Sequence, residues 1–154
     1  MIKTGNGRRQ KKDYAIAIVA SHFSRLISQR LLQACLKELV RLGIQEKKMT
    51  VFWVPGSFEI PLAAKTLAKK KSVDAVICLG AVIQGETLHF ELICRAASQG
   101  IARASFETGK PVIFGVLTTY TVKQALRRSQ PTGDNKGRDA AVAAVSMIDL
   151  LKRI

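Results

Sequence analysis

Ala75-Val-Ile-Cys-Leu-Gly-Ala-Val-Ile83, followed after Gln84 by Gly85-Glu-Thr-Leu-His-Phe90, is the stretch that decides the fold. Nine residues without a charge, several of them β-branched, read as a strand over 74–83 that is buried on both faces, as in a parallel sheet. The amphipathic segment 91–108, closed by Gly109 and Pro111, reads as the helix that follows it. Between them a hydroxyl, a carboxylate and an imidazole stand at a strand-to-helix junction. In an open parallel sheet ligands bind at the carboxyl ends of the strands, and a helix amino terminus there offers N–H groups to an anion. His89 is one of only two histidines. An imidazole suits proton transfer near neutral pH.

The same alternation extends in both directions. Residues 14–20 form an apolar run, followed by Leu26, Ile27, Leu31, Leu32, Cys35, Leu36, Leu39 and Val40 at helical spacing up to Gly43. A second strand is predicted over 49–54, closed by Pro55-Gly56. Ser57 then caps a helix through Leu62, Ala63, Leu67 and Ala68, with Pro61 in its first turn. A fourth strand covers 112–117, Thr121 caps a short helix to about 129, and an alanine-rich helix covers 138–152. Four apolar strands separated by helices predict a three-layer α/β/α sandwich with a four-stranded parallel flavodoxin-like sheet.

The 154 residues, 47% of them apolar, fit one domain with a sizeable core. The expected organisation is a basic arm over 1–13 and a single domain over 14–154. Lys and Arg number 25 against 11 Asp and Glu, a net charge of +14 that points to an anionic partner without choosing its class. The charge gathers in Arg8-Arg9-Gln10-Lys11-Lys12, Lys69-Lys70-Lys71 and Arg127-Arg128. Neither an RNA-binding aromatic signature nor a recognition-helix pattern accompanies it, so no specific nucleic-acid partner is expected. Cys35, Cys78 and Cys94 are odd in number and set among apolar residues, which reads as reduced core cysteines rather than disulfides or a metal site. With no signal-like start and no membrane-length apolar run, a cytoplasmic location is expected, with no membrane partner.

Three strand ends face one rim under this layout: Ser21-His22-Phe23-Ser24, Pro55-Gly56-Ser57-Phe58-Glu59 and Gly85-Glu86-Thr87-Leu88-His89. An aromatic, carboxylates, hydroxyls and an imidazole converge where this fold binds ligands. Neither a Walker loop nor a GxGxxG turn is present, so no nucleotide cofactor is expected.

Taken together, Ala20-Ser-His-Phe-Ser24, Val54-Pro-Gly-Ser-Phe-Glu-Ile-Pro61, Leu79-Gly-Ala-Val-Ile-Gln-Gly-Glu-Thr-Leu-His-Phe90, Lys110-Pro-Val-Ile-Phe-Gly-Val-Leu-Thr118 and Asn135-Lys-Gly137 resemble the lumazine synthase family. The resemblance spans nearly the whole chain from Tyr14. It implies condensation of 5-amino-6-(D-ribitylamino)uracil with 3,4-dihydroxy-2-butanone 4-phosphate, giving 6,7-dimethyl-8-ribityllumazine, phosphate and water without metal or cofactor. A noncatalytic flavin- or lumazine-binding module of the same fold is the alternative.

The resemblance also assigns roles. Phe23 matches the aromatic that stacks on the pyrimidine; Ser57, Phe58 and Glu59 match the segment holding the ribityl chain and ring. Ala81, Val82 and Ile83 match positions whose backbone meets the pyrimidine edge. Thr87 and the backbone at Glu86 match the phosphate site, and His89 matches the catalytic histidine. Phe114, Arg128 and Lys136 match residues near the substrate, Arg128 the phosphate-binding arginine, with Phe114 and Arg128 supplied by a neighbouring subunit. A homopentamer or an assembly of pentamers is thereby implied, with riboflavin synthase as a candidate partner. Three positions depart from the family pattern: His22 for a common arginine, Ser24 for asparagine, and Thr132 for lysine.

Overall fold

The computed structural model describes residues 11–154, so that the expected basic arm over 1–13 lies, up to residue 10, outside the described residues. Its elements run β1 Ile16–Ser21, α1 Arg25–Arg41, β2 Met49–Val54, α2 Ile60–Ala68, β3 Ala75–Ile83, α3 His89–Thr108, β4 Val112–Thr119, α4 Val122–Arg127 and α5 Lys136–Leu151. The four strands form one parallel sheet in the order β2-β1-β3-β4. The predicted α/β/α fold is therefore the observed one.

Side chains alternate across the sheet and divide the core in two. Ile16, Ile18, Ile77 and Leu79 pack against Ile27, Leu31 and Leu39 of α1 and against Ala140, Ala144 and Ile148 of α5. On the other face Ala17, Val19, Val76 and Cys78 meet Ile60 and Ala64 of α2 and Ala97, Ile101 and Ala104 of α3. Cys35 lies in the first layer and Cys78 in the second, both fully buried; Cys94 is only partly so. Alanines on α5 let it sit close to its neighbour α1, and Gly137 takes this furthest. A Cβ there would lie 2.0 Å from the carbonyl oxygen of Leu31.

The boundaries differ from expectation in informative places. β1 begins at Ile16 rather than Tyr14, because Tyr14 is turned to Asp149, to which its hydroxyl donates at 2.5 Å. Lys12 also pairs with Asp149, and its backbone bridges to Ile44. α5 starts at Lys136, two residues early, because Asn135 caps it and accepts from the N–H groups of Gly137 and Arg138. Thr121 caps α4 as expected, accepting from Gln124 N–H at 3.1 Å. Ser57 does not cap α2: residues Ser57–Glu59 form a 3₁₀ turn preceding it. Among the described residues no helix is long and apolar enough to cross a membrane.

Candidate active site

A cleft of about 750 Å³ opens at the carboxyl ends of the strands. Its floor is the end of β3, because β1 pairs with β3 only as far as Ala20–Leu79 while β4 continues beside it to Ile83–Thr119. Ala81, Val82 and Ile83 thus extend past β1 and line the cleft. One wall is the loop after β1, tied down by hydrogen bonds from His22 N–H to Val54 C=O at 2.8 Å and from Phe23 N–H to Pro55 C=O at 3.0 Å. These bonds hold Phe23 over the opening with 70% of its surface exposed, a high value for an aromatic. Phe58 and Glu59 come from the turn after β2, both exposed.

Ser57 differs from its neighbours. It lines the cleft but is only 5% exposed, and its hydroxyl has no hydrogen-bond partner among the described residues. A buried hydroxyl left unsatisfied costs about 1–3 kcal/mol, so it stands ready for a group brought by a ligand. Gly80 makes the space: a Cβ there would come within 2.6 Å of Ser21 Oγ and 3.0 Å of Ser57 Oγ.

The remaining wall is the start of α3. Helix formation begins at His89 rather than Glu91, which sets His89, Leu92 and Ile93 on one face toward the cleft. Phe90, Leu92 and Ile93 were missed in the sequence, although the 89, 92, 93 spacing carries the signal once the helix start is known. Gly85 and Thr87 also line the cleft, and Thr87 Oγ1 accepts from His89 N–H at 3.4 Å. No atom of the described residues would touch a Cβ on Gly85 within 4 Å. Glu86 is exposed and outside the lining.

Chemically the cleft offers an imidazole, a carboxylate, two hydroxyls and exposed aromatic faces, but no Lys or Arg among the described residues that line it. The other three predicted residues lie elsewhere. Phe114, Arg128 and Lys136 line a second, separate cleft between β4 and the start of α5. Arg128 is placed from both sides: its guanidinium donates to Gln124 C=O at 3.2 Å, and its own carbonyl accepts from Lys136 N–H at 3.0 Å. The Lys136 ammonium lies 3.0 Å from Asp139, whose hydrogen bond raises the lysine pKa.

One of the three departures from the family pattern has a local explanation. His22 is not among the residues lining the cleft and stacks on Trp53 at 5.0 Å, with its Nδ1 3.0 Å from the Arg25 guanidinium. Ser24 sits in the left-handed region at φ 57, where asparagine is better tolerated than serine. Thr132 is exposed, and nothing in the structure explains it.

A family model described as 6,7-dimethyl-8-ribityllumazine synthase matches residues 13–152. The protein of that name from Syntrophus aciditrophicus (strain SB) is 49% identical over 148 residues, covering 96% of this chain and 96% of the relative.

Proposed function

Because the chain belongs to the 6,7-dimethyl-8-ribityllumazine synthase family, we propose that it condenses 5-amino-6-(D-ribitylamino)uracil with 3,4-dihydroxy-2-butanone 4-phosphate, releasing phosphate and water, as the penultimate step of riboflavin biosynthesis. The observation that carries the site assignment is the division of its parts. Among the described residues the cleft holding His89 has no cation for a phosphate, whereas Arg128, Phe114 and Lys136 stand together in a cleft of their own. Two copies of the chain, each giving one cleft to the other, make a complete site.

Phe23 and Phe58 stack on the pyrimidine, an aromatic contact worth about 1 kcal/mol beyond the area it buries. Its edge meets the backbone of Ala81, Val82 and Ile83 on the side that β1 has left. Ser57 and Glu59 take the hydroxyls of the ribityl chain, which supplies the Ser57 hydroxyl with its missing partner. The phosphate settles at the start of α3, against the Thr87 hydroxyl, the backbone at Gly85 and Glu86, and the fork of Arg128 from the next subunit. Lys136 of that subunit adds positive charge nearby.

His89 then moves protons. The 5-amino group loses one as it attacks the ketone, water and phosphate leave, and the ring closes, all beside one imidazole on the first turn of α3. Holding two substrates in register contributes the larger part, about 7 to 11 kcal/mol in favourable intramolecular cases.

Phe58 and Leu92, which line the cleft, together with exposed Leu62 and Leu88 of the segments that follow β2 and β3, form the apolar surface that a second copy covers. The assembly is a pentamer or a set of pentamers, in the cytoplasm, with residues 14–154 as the catalytic domain, residues 1–13 as a basic arm, and riboflavin synthase as the consumer of the product.

Mixing impaired subunits tests the shared site. His89→Ala and Arg128→Ala variants, dissociated and reassembled together, should give more lumazine fluorescence and phosphate release than either gives alone. Folded mixed oligomers with no recovered activity would remove the shared-site reading.

A further inference from the structure

All strands of a parallel sheet begin at one end, here the end opposite the cleft, and the register makes those beginnings level. Ile16 stands opposite Met49 and Ala75, and Val76 opposite Val112. Lysines precede each one: Lys11-Lys12 before β1, Lys47-Lys48 before β2, Lys69-Lys70-Lys71 before β3, and Lys110 before β4. Four strands about 4.8 Å apart set these runs in a row roughly 14 Å long.

Three of the eight have partners. Lys12 pairs with Asp149, Lys48 lies 2.8 Å from Asp13, and Lys110 donates to the carbonyls of Lys70 and Val73 at 2.6 Å. Lys11, Lys47, Lys69, Lys70 and Lys71 are exposed and have no acidic partner among the described residues. Residues 1–10 contain no Asp or Glu that could neutralise them. Helix-end lysines complement the helix dipole, which accounts for a charge or two after α2. It does not account for unpaired charge repeated before three of the four strands, where like charges repel.

We infer that this end of the domain is a binding surface for nucleic acid, engaging the phosphodiester backbone without reading sequence. A line of mobile ammonium groups matches a line of phosphates and gains by releasing their counterions. Exposed aromatic rings are not needed for such contact, and the lysines bring none of the planar bidentate geometry that base recognition uses. The surface lies opposite the cleft, so binding leaves lumazine formation intact.

Fluorescence anisotropy of the full chain with a labelled, mixed-sequence 30-nucleotide RNA, titrated from 50 to 200 mM salt, tests this. Lys70→Glu/Lys71→Glu should bind roughly tenfold more weakly, with a salt slope shallower by about 1.4, while its lumazine activity stays at the parent level. Arg30→Glu/Lys123→Glu carries the same change of charge away from the row and should stay within about twofold of the parent. Equal loss in both variants would show only diffuse net charge and overturn the assignment. So would absence of binding at 50 mM salt. Vesicles rich in phosphatidylserine serve as the second probe: tighter binding to them than to RNA, lost in the same Lys70/Lys71 variant, would reassign the surface to membrane and overturn the nucleic-acid proposal.

Discussion

One methyl group at position 137 should unseat the last helix. A Cβ there would stand 2.0 Å from Leu31 O, 2.7 Å from Leu31 C and 2.9 Å from Leu31 Cα. Ordinary contact begins at 3.4 Å, so the backbones of α1 and α5 must part by about 1.4 Å. Rotamer change offers no relief, since the obstructing atoms are backbone. Overpacking of this kind costs about 1–3 kcal/mol. Moving the start of α5 also disturbs the buried Asn135, whose side chain caps the helix and donates to Gln130 C=O at 2.9 Å; a lost cap adds about 1 kcal/mol. A total of about 2–4 kcal/mol corresponds to a melting temperature lower by roughly 5 to 15 °C in a chain of this size. Circular dichroism melts of Gly137→Ala and the parent measure it. Gly85→Ala is the control, because a Cβ there meets nothing among the described residues and should leave the melt unchanged. The variant should also bind the phosphate substrate less well, because Lys136 N–H holds the carbonyl of Arg128. A Gly137→Ala protein that melts with the parent would refute the close-approach reasoning.

His89→Ala should slow lumazine formation about 100-fold or more while leaving measurable activity from substrate alignment alone; unaltered turnover in folded oligomer would sink the proton-transfer role. Ser24→Asn should raise stability by about 0.5–1 kcal/mol, since the left-handed φ of 57 burdens serine more than asparagine; a lower melting temperature contradicts this. Hydrogen bonds from Lys65 and Arg103 hold the Glu107 carboxyl down at about 2 against an ordinary 4.5. Its folded value is depressed, so its contribution is complete above about pH 4.5 and is lost as the pH falls toward 2. Glu107→Gln should flatten acid unfolding in that window, and an unchanged profile would discount the triad.

How much was legible in the sequence follows from the range of the interactions. β2 was read with its observed bounds, because Lys47-Lys48 and Pro55-Gly56 mark both ends locally. Tyr14 was misplaced in a strand because its partner, Asp149, lies 135 residues away. The apolar spacing places the start of the last helix at 138, whereas Asn135 caps it two residues earlier by accepting from the N–H groups of Gly137 and Arg138. Ser57 has the composition of a cap, yet the chain turns through a 3₁₀ geometry that leaves its hydroxyl unpaired. At the site, topology alone brought Phe23, Phe58, Glu59, Thr87 and His89 to one rim, since all strand ends of a parallel sheet share a side. The separate cleft of Phe114, Arg128 and Lys136 joins β4 to the start of α5 and is invisible to local pattern; the family resemblance supplied those residues.

The two buried thiols give the fold an internal clock. Only a thiolate reacts readily with alkylating reagents. Burial pushes the Cys35 thiol up to about 12 and the Cys78 thiol higher still, so neither reacts while the chain is closed. Cys35 becomes reachable when α1 lifts from one side of the sheet, and Cys78 when α2 and α3 leave the other. Cys94, partly exposed on α3, marks time zero. The order in which a slow reagent modifies the three therefore records which layer of the sandwich opens first, without any label or substitution being introduced.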